Sequence, residues 1–434
     1  MTNLSRIVCP VVVCVLAVAC SSSSSTSDNA ANTSAAASTT TQAQAGTTVV
    51  TTLSTTPDTE PAAESAAIAG YRSVVETLAS DEFAGRNNLT DGSVRSQEYL
   101  IAQLKEFAQP LGSGVGDDAY KQTFDLGTNL LAVIPGGELA EQYVIVGAHY
   151  DHLGNDCDAV SATDSICNGA TDNATGVAAA LAIGRSIAAD ATGPRRSVII
   201  AFWDAEEDGL KGSAAYIANP VVPLAKTVGY VNFDIQGANL TPSLRNLTVM
   251  VGAETGGQTL IDAALQATSK SSLDTAAFSL LFGQGRSDHA NFAVAGVPTV
   301  FFTDANPPCY HTVGDDTSIV DYPKLEQQVA TAEALTRDLM STDTPPVFDP
   351  TAPPASFDDA VTMLSVLHQG EPDFDRFGVD NATTARKFVA DLTVIVDAGA
   401  PKFDATAVGV LLAGSVSIVR AVASGACEGF LATP

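Results

Sequence analysis

The sequence predicts an α/β fold: a mostly parallel central sheet flanked by helices, followed by a small C-terminal helical appendage. Three observations predict it. Between residues 67 and 343, apolar runs of strand length alternate with segments of helix length. The runs are apolar throughout, as in strands covered on both faces. Each also ends in a cluster of polar side chains, at the sheet edge where open parallel sheets gather ligands.

In chain order, 143–148 is an apolar strand ending at His149, and 175–187 is a helix with Gly176, Ala179, Ala180 and Ile183 on a close-packing face. A second buried strand covers 197–203, with a helix near 211–218 behind it. Strands follow at 228–235 and 247–251, a helix over roughly 257–269, a strand at 298–303 and a long closing helix over 322–340. Residues 344–355 carry five prolines and read as a linker. The appendage is 356–434. Ser356 and Asp359 resemble a capping box there, and Phe388, Leu392 and Ile395 share a helical face. The segment 407–423 is expected to be a mostly buried helix; its apolar part is too short for a membrane span and is closed by Arg420.

The start of the chain is different in kind. Arg6, an apolar stretch over 7–16 and small residues before Cys20 have the form of a secretory signal over 1–19, outside the fold. Leu16-Ala17-Val18-Ala19-Cys20 resembles a bacterial lipobox, which makes Cys20 the expected lipidation site. Residues 20–66 are rich in Ser, Thr and Ala and cannot bury enough surface to offset ordering, so they read as a disordered tether. The chain is thus expected outside the cytoplasm, anchored to the cell envelope, or secreted if the lipobox is not used.

A net charge of −28, from 49 acidic and 21 basic residues, excludes nucleic acid and anionic membrane surfaces as partners, because both would repel it. Membrane contact is expected only through the lipid. Four cysteines follow Cys20: Cys157, Cys167, Cys309 and Cys427. An oxidising compartment permits disulfides. Cys157 with Cys167 is the local choice, which leaves Cys309 with Cys427 or a pair of free buried thiols.

The polar residues that end the strands carry the chemistry. They are His149-Tyr150-Asp151, Asp172-Asn173 before a helix, Asp204-Ala205-Glu206-Glu207, Asn232-Phe233-Asp234 and Cys309-Tyr310-His311. Imidazole with carboxylate suits catalytic zinc or a similar ion. A two-metal hydrolase needs a carboxylate bridging both ions and another, unligated, to move a proton. Adjacent Glu206 and Glu207 can divide the roles of base and ligand, and Asp151 can orient the His149 imidazole.

These segments, with Asn168-Gly169-Ala170-Thr171-Asp172-Asn173-Ala174-Thr175-Gly176, Gly212-Ser213, Ser287-Asp288-His289 and Tyr310-His311-Thr312, resemble the M28 zinc peptidases, typified by bacterial leucyl aminopeptidases, in their order across roughly residues 68–340. The resemblance implies a zinc-exopeptidase fold and two zinc ions per chain. His149 and Asp234 would hold one ion, Glu207 and His311 the other, and Asp172 would bridge them. It implies Glu206 as general base and Tyr310 as donor to the tetrahedral intermediate, while Arg286 resembles a substrate-contacting arginine of some members. No protease-associated domain fits between Thr128 and Asn129, and Val313 stands where some relatives have a partner for the cysteine before Tyr-His. His289 is expected to be structural support, and His152 and His368 are given no ligand role.

The expected activity is removal of amino-terminal residues from peptide substrates. The alternatives are a carboxypeptidase, a glutaminyl cyclase on a similar fold, or a non-catalytic receptor. Ile235, Phe278, Leu280 and Phe282 suggest an apolar pocket near the rim, although core packing accounts for them equally well. The sequence does not fix the side-chain preference, the oligomeric state or the role of the appendage.

Overall fold

The computed structural model describes residues 64–427; the signal segment, Cys20 and nearly all of the expected tether lie outside the described residues. Helix α1 (Ala66–Leu78) starts behind Ser65 and α2 (Asp91–Lys105) behind Thr90. Each hydroxyl accepts a first-turn amide that a helix start leaves open. Then come β1 (Gln109–Pro110), β2 (Lys121–Phe124), β3 (Gly127–Ile134), β4 (Leu139–His149), α3 (Thr175–Ala188), β5 (Arg196–Trp203), α4 (Lys211–Ala218) and β6 (Thr227–Phe233). The domain closes with β7 (Leu247–Val251), α5 (Gly257–Thr268), β8 (Asp274–Phe278), α6 (His289–Val294), β9 (Thr299–Thr303) and α7 (Tyr322–Ser341).

The strands form one sheet in the order β1-β3-β5-β4-β6-β9-β7-β8, with β2 paired to β3. Strands β5, β4, β6 and β9 run parallel, while β3 and β7 are antiparallel to their inner neighbours β5 and β9. The expected mostly parallel sheet is therefore present, with reversed strands on both flanks. Alternation along β4 sends Val144, Val146 and Ala148 into a core shared with α1, α3 and α7. Ile145 points the other way, into a cluster with Trp203, Tyr230 and Phe292. Both faces are covered, so polar side chains are excluded until each strand ends.

The chain passes from β4 to β5 on one side and then returns to β6 on the other. Connections diverge at such a point and leave a crevice above it. Just beyond the strand ends, Ala205, Ile235 and Ala305 have φ of 54°, 61° and 58°. Left-handed backbone at residues with a Cβ costs about 1 kcal/mol or more each, and these three lie beside the crevice.

The appendage comprises α8 (Phe357–Gly370), α9 (Val379–Ala398) and α10 (Ala405–Ala423). The capping box at Ser356 and Asp359 is formed. Asp359 also accepts from the amide and hydroxyl of Ser279, at 2.7 and 2.8 Å, which fastens α8 to the end of β8. Leu364, Phe374, Phe388, Leu392, Leu411 and Val422 form its core. One expectation fails: α10 is not mostly buried. Only Ala407, Leu411, Ser415, Ala421 and Val422 are covered, because the helix packs by one face while being apolar nearly all round. By length and composition it could cross a membrane, contrary to the estimate from sequence.

Candidate metal centre

His149 ends β4, Glu206 and Glu207 follow β5, Asp234 follows β6, and His311 lies in the loop after β9. Asp172 comes from the turn before α3, joined to Asn173 by a cis peptide bond. Asn173 holds this turn in place: its amide donates to the Phe233 carbonyl and its oxygen accepts the Gly176 N–H. A Cβ at Gly176 would collide with Asn173, so the glycine is what permits the cap.

The two oxygens of Asp172 face different imidazoles. Oδ1 lies 3.2 Å from His149 Nε2, and Oδ2 lies 3.3 Å from His311 Nε2. His149 Nε2 is also 3.2 Å from Asp234 Oδ1, and His311 Nε2 is 3.2 Å from Glu207 Oε2. Two donor atoms on one tetrahedral zinc, each at about 2.0–2.1 Å, are roughly 3.3–3.4 Å apart. The imidazole–carboxylate distances in each triad therefore match those of a shared coordination sphere; His152, with Asp172 and Glu207, also offers donor atoms within 4.8 Å of one another. Among the described residues His311 Nε2, although close to two carboxylates, makes no hydrogen bond, as expected of an atom oriented toward a common ion. The donor set fits a pair of divalent ions, between which Asp172 would lie.

The remaining side chains hold these donors in place. The Asp151 carboxylate accepts the amides of Glu206 and Glu207 at 3.1 and 3.2 Å, fixing the loop that carries both. His149 Nδ1 is met by the backbone carbonyl of Asp151 at 3.1 Å, with the carboxylate 3.6 Å away. Asp151 thus orients the imidazole mainly through its backbone. His152 Nδ1 engages Glu207 Oε1 at 2.8 Å, which leaves Oε2 for His311. His289 is fully buried and stacked on Phe301 at 4.3 Å, away from both triads.

The carboxylates differ in their electrostatics. Burial alone would push Asp172 up, but the His149 and His311 imidazoles hold it well below the usual range. Glu206 has no such partner. Burial, with Asp234, Glu207 and Asp288 nearby, pushes it well above its ordinary value despite His149. Among the described residues its carboxylate has no hydrogen-bond or ion-pair partner, and it lines the cleft beside the triads. Tyr310 stacks on His311 at 3.7 Å with the Arg286 guanidinium 5.9 Å from its ring, and both residues line the same cleft. Of the four apolar residues expected near the rim, Ile235 and Phe282 line it; Phe278 and Leu280 do not. The disulfides are Cys157–Cys167 and Cys309–Cys427.

Two supporting residues escaped the sequence. Asp315 accepts the amides of Thr171 and Asp172 and the Thr171 hydroxyl. Arg86 is fully buried and donates to the carbonyls of Leu78, Tyr150, Asn168 and Gly169 at 2.6–2.9 Å. It thereby ties the His149–Asp151 segment to the Asp172 turn. Burial lowers its pKa to about 10, opposed by Asp315, Asp172, Asp151 and Glu207, so it stays charged at neutral pH. No local pattern marks Arg86, whose partners lie up to 83 residues away. Asp315 follows the Tyr310-His311-Thr312 motif closely and could have been flagged as another polar residue at a strand end. Arg86→Met should cost about 3–5 kcal/mol of stability and weaken zinc binding roughly 10–100-fold. Thermal unfolding and zinc titration would check both, and unchanged zinc affinity would contradict the positioning role.

Residues 129–336 match peptidase family M28. A probable glutamate carboxypeptidase of Arabidopsis thaliana is 32% identical over 199 residues, covering 43% of this chain and 26% of that protein. Leupeptin-inactivating enzyme 1 of Streptomyces exfoliatus is 28% identical over 271 residues, covering 59% and 52%. The chain thus spans between about a quarter and a half of these relatives' length. Among solved structures, the LapA aminopeptidase of Legionella pneumophila superposes with a TM-score of 0.51 at 19% identity, over 64% of this chain and 70% of that one. That likeness shows the fold. The matched segment contains all five residues of the two triads, which share Asp172, and over that segment the chain is similar to peptidase family M28.

Proposed function

We propose that this chain is a two-zinc aminopeptidase acting outside the cytoplasm, held at the cell envelope through lipidated Cys20. One observation carries the reading: Asp172 presents one oxygen to each of two His–carboxylate pairs, the arrangement a bridging ligand requires. When bound, the zinc pair would polarise the scissile carbonyl and acidify the attacking water. Glu206, unligated and at the cleft wall, takes the water's proton and returns it to the leaving amine. Tyr310 donates its hydroxyl to the oxyanion. The free α-amine of the peptide is received by the carboxylate rim of Asp172, Glu206, Glu207 and Asp234. Two disulfides in the body support an oxidising compartment.

Arg286 gives a second reading some weight. Among the described residues it is the one cation lining the cleft, and a carboxypeptidase would use it to bind the terminal carboxylate. A glutaminyl cyclase is disfavoured by the completeness of both triads. The protein should be stripped of metal, reloaded with zinc, and given aminoacyl-nitroanilides with free and blocked amines, together with amino-blocked dipeptides. Release from free-amine substrates only, with about two zinc ions per chain, is the expected result. Cleavage only of amino-blocked dipeptides would move the assignment to carboxypeptidase.

A further inference from the structure

The cleft has two unlike ends. One holds the metal-binding carboxylates; the other is apolar, built by Ile235, Val249, Val251, Phe282, Phe301 and Val419. Val419 is the outlier. It lies on α10, more than eighty residues beyond the segment shared with the family, which ends at 336. Part of the cleft wall therefore comes from the appendage.

Two features hold that part of α10 in place. On the inner side, Ile418 packs on the appendage core, and Phe282 packs against that core as well as against the cluster under β7 and β8. At the end of the helix, Cys427 is bonded to Cys309, one residue before Tyr310 and two before His311. The fit there is close: Gly425 lies against Pro308, and a Cβ at Gly314 would collide with the Cys427 sulfur. The helix end is thus covalently tied to the loop that supplies one metal ligand and the oxyanion donor.

We propose that α10 is the specificity wall of the metal site, with Val419 setting the largest terminal side chain that the apolar end accepts. The favoured substrate is a peptide whose terminal side chain is apolar and short enough to stop at Val419. This rests on the exopeptidase reading, in which the scissile bond lies at the metals and the terminal side chain points away from the carboxylates. One or two methylenes in an apolar pocket change discrimination about 10–200-fold, so a single wall residue is enough to set the limit.

The test uses the full-length, zinc-loaded protein with Val419→Ala and Val419→Trp. Val419→Ala should raise the phenylalanyl-to-leucyl ratio of kcat/KM on nitroanilides roughly tenfold, and Val419→Trp should lower the leucyl-to-alanyl ratio by a similar factor. The same variants in a Glu206→Gln background give a readout without turnover: calorimetric affinities for Leu-Gly and Phe-Gly should shift in the same sense. Ratios within twofold of the parent in both variants, by rate and by affinity, would overturn the proposal. Shifted affinities with no hydrolysis of free-amine substrates by the parent would sink the aminopeptidase reading and leave the wall standing.

Discussion

Glu206→Gln should leave about two zinc ions bound and reduce kcat by roughly 10³-fold or more. The residue is 7% exposed, lines the cleft and, among the described residues, has no hydrogen-bond or ion-pair partner for its carboxylate, whereas Glu207 next to it is engaged by His152 and His311. Glutamine keeps the shape and removes the base, so KM and metal content should change little while kcat falls. Loss of a metal ion would make Glu206 a ligand; retained turnover would remove it from the chemistry. The metal-free protein offers a second check. There the folded-state pKa of Glu206 lies well above its unfolded value. Between those two values the folded chain keeps a proton that the unfolded chain has released, so stability falls as pH rises through this window. Glutamine has no proton to lose. The apo variant should therefore match the apo parent in acid and become progressively more stable than it toward neutral and alkaline pH, as read by thermal melts at several pH values.

How much of this could be read from sequence depends on distance along the chain. Strands β4, β5, β6 and β9 were legible because an apolar run buried on both faces can end only where polar side chains appear, and those ends carry His149, Glu206, Glu207 and Asp234. The helices α3, α4 and α7 were legible from their period, to within a residue or two of their ends. The supporting contacts were not. Asp151 reaches amides 55 and 56 residues away, and Asp315 reaches the Thr171–Asp172 turn across more than 140. Such contacts leave no local periodicity; only the folded topology brings them together. The reversed strands β3 and β7 have apolar interiors like their parallel neighbours, so composition does not reveal their direction. α10 misled for a related reason: a helix apolar on every side usually signals full burial, and here one face packs while another helps to wall a cleft.

Asp172→Ala should abolish activity and lower bound zinc from about two ions per chain to one or fewer. With one oxygen directed at each imidazole, Asp172 is, among the described residues, the side chain that both triads share, and without it two cations would sit close together with no charge between them. The loss should also appear without metal. In the apo protein, burial raises the Asp172 pKa but its pairing with His149 and His311 prevails and holds it well below the ordinary range. A carboxyl depressed in this way stabilises the fold above its unfolded pKa and loses that contribution as pH falls through the folded one. The stability gap between apo parent and apo variant should therefore be widest near neutrality and close in acid. Zinc should then widen it again: a ligand at a hundred times its Kd adds about 2.7 kcal/mol to a fold that binds it, an increment the variant largely forgoes. Asp172→Asn, which preserves the volume of the turn and the amide contacts of Asp315, separates a folding failure from a metal-binding one. Two zinc ions per chain in the alanine variant would refute the bridging role; melts of parent and variant that rise equally with zinc would do the same.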